Sequence, residues 1–545
     1  MVTKSDYPTV PLPTTPYHEQ LLAAIDKIIN EDPQRVAFIS GDNPNLKVTY
    51  AQLRQTAYAV ATYLHNIGFE KNVAAIVLPN VWQYAAFFIG VAINGGVISG
   101  ASALFTDYEL QRQFVDSGAK VVLTYEDFLG NVEKAAKNSP NKIIVIPSPF
   151  QKTVFSDPKI VSWNDVVATP VTSLPRVKID VHKDLLNLPY SSGTTGPPKG
   201  VMLSHYNFSS MVTLFTFIED TRNNPTLDKN LDYAKEKLVL FLPFYHAFGF
   251  GLLNYSILRG ATAVVLSHFE PNNFCSAIQN HKIRVLPLVP PIMVFLAKHP
   301  ICAKYDLSSV EFIIAGAAPA GKDLCEELKR KYKNIKYIQQ GYGMTEGSMA
   351  SHMPDLTHEQ PFGSVGKLGP NLEMKIVDPS THVEQPDGQR GEICIRGPTV
   401  MLGYLGRPEA TASTIVKGWL HTGDIGYLDK KGNLFIVDRL KELIKVKGLQ
   451  VAPAELEDLL LTHPLIVDVA VIGIPDAKAG ELPRAYVVRA SDKLTEQDVK
   501  DFVAAKVSAY KKLAGGVIFV PEIPKSAAGK ILRRVLRDEA TKAKL

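Results

Sequence analysis

Cysteine is scarce in this chain: four in 545 residues, at Cys275, Cys302, Cys325 and Cys394. No two form a CxxC pair and no histidine stands near them at zinc-ligand spacing, which excludes a zinc-ribbon module. A disulfide scaffold is equally out of place in so long a chain. The four read as reduced, mostly buried thiols. An excess of one charge is also missing. The 59 basic and 54 acidic side chains leave +5, too mild to predict a nucleic-acid partner. The proline-rich first nineteen residues contain no apolar core of secretory type. One uncharged run, Val81 to Phe105, is long enough to span a bilayer. Asn94-Gly95-Gly96 interrupts it, so the expectation is a buried helix, a turn and a buried strand, with no transmembrane span. There is no repeat of fixed period and no low-complexity tract.

What is present is globular material: 46% apolar and 21% charged residues. The length predicts more than one domain. Short apolar runs such as Ala74–Leu78, Val121–Leu123, Ile143–Ile146 and Ala263–Leu266 read as buried strands. Helical spacing over Tyr50 to Ile67 separates such strands, which is the alternation of an α/β fold. The style changes near Asp438-Arg439. Beyond it, a strand over Val467–Ile474 and a helix opened by Thr495 and Asp498 in capping-box spacing predict a compact α+β unit. The expected division is therefore residues 1–438, a hinge at 439–441, and 442–545. The basic residues near the end (Lys525, Lys530, Arg533, Arg534, Arg537, Lys542, Lys544) read as a solvated helix face.

The most informative segment is Tyr190-Ser191-Ser192-Gly193-Thr194-Thr195-Gly196-Pro197-Pro198-Lys199-Gly200. Glycines admit close backbone approach to an anion, and successive N–H groups cradle phosphate oxygens. Hydroxyls and the Lys199 charge add to that. The pattern is not a Walker A loop, because Lys199 is followed by glycine rather than Ser or Thr. End to end it resembles the AMP-binding signature of the adenylate-forming superfamily. That superfamily includes acyl-CoA synthetases, 4-coumarate–CoA ligases, beetle luciferases and peptide-synthetase adenylation domains.

Further segments are similar to that family's motifs, in family order from roughly residue 45 to 535. In Pro243-Phe244-Tyr245-His246-Ala247-Phe248, the resemblance implies that His246 and Phe248 line the acyl pocket. In Ala315-Gly316-Ala317-Ala318-Pro319, small residues around Ala318 let adenine lie against the backbone. The string Gln339-Gln340-Gly341-Tyr342-Gly343-Met344-Thr345-Glu346 implies nucleotide contacts from Gln340, Gly341 and Tyr342, with Tyr342 stacking on adenine. Thr345 would reach the α-phosphate, and Gly341, Gly343 and Met344 would border the acid. Glu346 would offer a hard oxygen to Mg²⁺, which a carboxylate beside triphosphate requires for charge balance. In Trp419-Leu420-His421-Thr422-Gly423-Asp424, Asp424 matches the ribose ligand. In Asp438-Arg439-Leu440-Lys441 and on to Gly448, Arg439 matches a ribose or phosphate contact and Lys441 the hinge. Lys445 matches the lysine of the second half-reaction, and Lys447 and Gly448 match positions on the CoA path. In Pro524 to Ile531, Lys530 matches the catalytic lysine bridging carboxylate and α-phosphate.

The resemblance implies a fold with a large multi-layer N-terminal domain, sheets packed by helices, and a small mobile C-terminal domain. It implies an ATP- and Mg²⁺-dependent carboxylic acid–CoA ligase working through an acyl-adenylate, closest to the 4-coumarate ligase and luciferase branch. A luciferase-like monooxygenase, a domain loading a carrier protein, and a non-catalytic nucleotide-binding protein are the rivals. His268 departs from plant ligases, which tend to place lysine there, facing the CoA phosphates; a largely neutral imidazole is the weaker partner. Ala543-Lys544-Leu545 keeps the small-basic-leucine pattern of a peroxisomal address and implies an import receptor as partner and a peroxisomal location.

Overall fold

The computed structural model describes residues 2–137, 139, 142–147, 155–191, 198–318, 320–446, 449–476, 478–526 and 529–542. Ser192, Gly193, Thr194, Thr195, Lys447, Gly448 and the Ala543–Leu545 tail lie outside the described residues.

Parallel pairing dominates the first layers. Val73–Val77 lies between Val97–Ala101 and Val121–Tyr125, and Lys142–Ile146 extends the sheet beyond the latter, all parallel. These strands read as unbroken apolar runs because helices cover both faces. The uncharged run resolves into the helix Trp82–Ile93, a turn at Gly95 with φ of 64°, and the strand Val97–Ala101, all buried except the half-buried Trp82 and Gln83. Among the described residues no helix is long and apolar enough to cross a membrane. A second sheet pairs Lys237–Leu240, Thr262–Val265 and Val36–Ser40 in parallel. A third stacks Val285–Leu288, Phe312–Ala315 and Tyr337–Gln340, also parallel. An antiparallel sheet then joins Glu373–Val377, Gly391–Arg396, Trp419–Leu428 and Leu434–Arg439. One large apolar core runs from Val10 to Met353.

After Arg439 the chain builds a last sheet, with strands Ile444–Val446, Leu449–Val451, Ile466–Asp476, Gly480–Arg489 and Val517–Phe519, around its own core. The helix Glu496–Ala504 opens with the expected reciprocal cap between Thr495 and Asp498, and buries Val499 and Val503. All four cysteines are free and buried.

Part of the basic tail departs from the solvated face that composition suggests, although Arg534 is exposed. Arg533, at the start of the helix Arg533–Lys542, is buried and donates to Glu442 Oε2 and Glu457 Oε2, each at 2.6 Å. Its Nε donates to the Val471 carbonyl at 3.2 Å. Lys525 pairs with Asp468 at 2.6 Å. Two carboxylates buried on Glu442 and Glu457 need a cation with several rigid donors, and arginine supplies it.

Candidate active site

The carboxyl ends of parallel strands are where α/β folds open toward ligands. Phe312–Ala315 runs into Gly316–Ala318, and Tyr337–Gln340 runs into Gly341-Tyr342. Gly341 N–H donates to the Ala315 carbonyl at 3.0 Å. The Gln340 amide takes the Ala320 N–H at 2.8 Å and donates to the Ala320 carbonyl at 3.1 Å, tying the two loops together. Tyr342 pairs with His352 in both directions at 3.0 Å, folding residues 342–352 back on themselves. At Gly343 a Cβ would lie 1.8 Å from the Met349 carbonyl oxygen, so only glycine fits.

That turn carries Met344, Thr345 and the buried Glu346. Glu346 Oε1 accepts from the Tyr404 hydroxyl at 2.9 Å, and its carbonyl accepts from Met401 N–H at 2.9 Å. Lys199 Nζ stands 4.9 Å from the centroid of the same Tyr404 ring. The end of the glycine-rich segment and the candidate Mg²⁺ ligand thus share one wall. Ser191 pairs with Lys199 on the neighbouring strand.

Asp424 sits on Trp419–Leu428 just after Gly423, whose φ of 71° makes the turn. Its Oδ2 accepts from the Tyr342 hydroxyl at 2.6 Å, and Arg439 Nε lies 3.5 Å from Oδ1. Burial raises the Asp424 pKa above the usual carboxylate range, against the opposing pull of Arg439 and Tyr342.

Lys530 enters from the small domain. Ser526 organises its loop: Lys530 N–H donates to Ser526 Oγ at 3.2 Å, and Ser526 N–H to the Lys530 carbonyl at 2.8 Å. Gly529, with φ of 76°, seats this loop on the large domain, where a Cβ would stand 3.2 Å from Pro291 Cγ and Val289 Cγ2. Burial pushes the Lys530 ammonium down to about 8. The Arg439 charge pushes the same way, while Glu442, Asp424 and Glu346 hold it up. His246 feels burial first and then the Lys530 charge, and falls to about 4. Its Nδ1 accepts from Phe248 N–H at 3.4 Å at the head of the helix Ala247–Arg259. The Phe248 ring fills the space that Gly316 leaves, with Cε1 3.0 Å from where a Cβ would be.

The structure therefore brings Lys530, His246, Glu346, Asp424, Tyr342 and Arg439 into one neighbourhood, within reach of one another's charges and hydrogen bonds. Lys441 lies on the exposed turn after Arg439, and Lys445 is exposed on Ile444–Val446 with its N–H on Glu481 Oε2 at 2.7 Å. Sequence reasoning missed Tyr404, which fixes Glu346 from 58 positions away. It also missed Thr422, whose hydroxyl accepts from Asp424 N–H at 3.1 Å and donates to the Ile393 carbonyl at 2.8 Å. Thr422 lies inside a quoted motif and its Thr-Gly-Asp order was a readable turn signal. Tyr404 had none.

The family model for the AMP-binding enzyme matches residues 25–405, and that for the AMP-binding enzyme C-terminal domain matches residues 455–530. The chain belongs to the AMP-binding enzyme family. This AMP-binding enzyme is 41% identical to 4-coumarate–CoA ligase 2 of Solanum tuberosum over 98% of its own length and 96% of the relative's. It is 40% identical to 4-coumarate:CoA ligase 1 of Petunia hybrida over the same shares. Its fold matches ATP-bound MatB from Rhodopseudomonas palustris with a TM-score of 0.84, at 25% identity, over 97% of this chain and 100% of that one. It is an AMP-forming acid–thiol ligase of the α/β class.

Proposed function

We propose that this enzyme converts an aryl or fatty carboxylic acid, ATP and CoA to the acyl-CoA, AMP and pyrophosphate. The acid binds beside His246 and Phe248, and the nucleotide lies between the Gly316–Ala318 and Gly341–Tyr342 loops. In the first step a carboxylate oxygen attacks the α-phosphorus and the bond to pyrophosphate breaks. The carboxylate is already ionised at neutral pH, so no base is needed. The Lys530 ammonium pairs the carboxylate with the α-phosphate, holding two mutually repelling anions in line. Thr345 donates to the α-phosphate and Asp424 accepts from the ribose hydroxyls. Glu346 suits Mg²⁺, since it is a buried carboxylate held by Tyr404 with acceptor capacity left for a hard cation. That ion would offset triphosphate charge.

In the second step the small domain turns about Lys441, withdrawing Lys530 and bringing in the Lys445 face. The CoA sulfur attacks the acyl carbonyl, and AMP leaves with the bonding pair. The seat of Gly529 on Pro291 and Val289, which brings the Lys530 charge near enough to act with His246, Asp424 and Glu346, supports the reading, as the arrangement suited to the first step. The relatives named as 4-coumarate–CoA ligases favour an aryl propenoic acid among the substrates.

Separate assays of the two half-reactions test this. Lys530→Ala is expected to abolish pyrophosphate release yet still turn preformed acyl-adenylate into thioester. Lys445→Ala is expected to spare adenylation and slow thioester formation. Equal damage to one step by both changes would exclude the two-position scheme. A panel of acids assayed for CoA consumption, with light output measured alongside, separates the ligase from an oxygenase. Failure of every acid in the panel to support pyrophosphate exchange would favour a non-catalytic binder.

A further inference from the structure

A second cluster of ligating side chains lies on the antiparallel sheet, behind the Asp424 turn. The tip after Glu373–Val377 is a tight loop in which Asp378 Oδ1 accepts from Ser380 N–H at 2.9 Å and Thr381 N–H at 2.8 Å. His382 N–H closes it on the Asp378 carbonyl at 2.8 Å, and holds a left-handed φ of 57° that a residue with a Cβ seldom takes. This fixed loop brings His382 to Glu392 and His421. One ligand atom from each of the three lies within 4.8 Å of the other two. His421 Nδ1 is 2.8 Å from Glu392 Oε2, and Cys394 Sγ is 3.5 Å from the same nitrogen. Glu392 and Cys394 are buried, whereas His382 is exposed and gives an entry path. The neighbouring Lys375 ammonium is drawn aside, 3.5 Å from Glu384 Oε1 and 4.9 Å from the Trp419 ring centroid.

We propose that His382, Glu392 and His421 form a site for a zinc-class divalent cation, and that filling it weakens nucleotide binding. Two imidazoles and a carboxylate suit a borderline ion and not Mg²⁺ or Ca²⁺, and they leave a fourth position for water. With tetrahedral zinc bond lengths, nitrogen and oxygen ligands stand about 3.4 Å apart. The Glu392–His421 hydrogen bond has to open by roughly 0.6 Å on that geometry. That opening is the link to the nucleotide. The other carboxylate oxygen, Glu392 Oε1, accepts from Gly423 N–H at 3.1 Å, next to Asp424. An ion drawing Glu392 toward it pulls on the turn that sets Asp424. The three residues span a loop and two strands, so no linear spacing reveals them. The coupling rests on Asp424 as the ribose ligand; ion binding does not.

The test uses the full chain stripped with a chelator. Zn²⁺ titrated against a chromophoric competitor is expected to fill one site per chain, and His382→Ala to weaken it at least about tenfold. Co²⁺ is expected to give the strong visible bands of a four-coordinate ion, and His382→Ala to lose them. Zn²⁺ is expected to raise the KM for ATP in the parent enzyme at concentrations that leave His382→Ala unaffected. Equal Zn²⁺ affinity in parent and His382→Ala, or the faint spectrum of six-coordinate Co²⁺, would overturn the site. A filled site with unchanged KM for ATP would overturn the coupling, and a lowered kcat in Asp424→Ala with the KM for ATP unchanged would instead count against the ribose reading.

Discussion

The Tyr342 hydroxyl donates to Asp424 Oδ2 over 2.6 Å, joining a loop of the parallel layer to a strand of the antiparallel one. The bond orients a carboxylate that burial would otherwise favour as the neutral acid. A hydrogen bond to an ionised group is worth roughly 1.5–3 kcal/mol. Tyr342→Phe keeps the ring and loses that bond, so the KM for ATP is expected to rise about tenfold or more with a smaller change in kcat. Steady-state pyrophosphate release against ATP concentration measures the split.

The lowered Lys530 pKa sets a pH limit. The amine acts as an ammonium, so the free enzyme loses the active form as pH rises through about 8. The kcat/KM of adenylation for ATP is expected to fall on that alkaline side. His246, at about 4, stays neutral through the working range and adds no limb between pH 5 and pH 7. Lys530→Arg holds its charge to far higher pH and should remove the alkaline limb at a lower maximal rate. A limb unmoved by this change would assign the titration to another group.

Arg533 is the keystone of the small domain's charge cluster. Removing it strands Glu442 and Glu457 in the interior, where burial already raises the Glu457 pKa. Arg533→Met is expected to cost about 3–5 kcal/mol. Denaturant titration followed by proteolysis of residues beyond 442 reads the loss. Changing Glu442 and Glu457 to glutamine in the same chain should recover much of it, because the stranded charges are then gone.

Gly343→Ala places a methyl carbon against the Met349 carbonyl oxygen, a backbone atom that cannot rotate away. The turn carrying Thr345 and Glu346 must shift, and overpacking of this kind costs roughly 1–3 kcal/mol. Adenylation is expected to fall far more than the melting temperature. Pyrophosphate exchange beside thermal unfolding tests that ordering.

Features specified within a few residues were legible in the sequence. The parallel strands announce themselves as unbroken apolar runs, and the Thr495–Asp498 cap and the turn at Gly95 are local by nature. What escaped depends on partners distant in the chain. Arg533 meets Glu457 and Glu442 from 76 and 91 positions away, and a basic residue in a basic tail reads as solvated until those partners are known. Tyr404 reaches Glu346 in the same way. The candidate site residues were readable as motif members, whereas their assembly around Lys530 depends on how Gly529 seats on Pro291 and Val289.

The strands of the last sheet all come from residues 444–519, and none pairs with a strand before Arg439 among the described residues. The polypeptide therefore passes between the lobes by a single covalent thread. Cut there, the protein would yield two pieces that each keep every rung of their own ladders. Their reunion would become a bimolecular event, and turnover would then scale with the concentration of the smaller fragment.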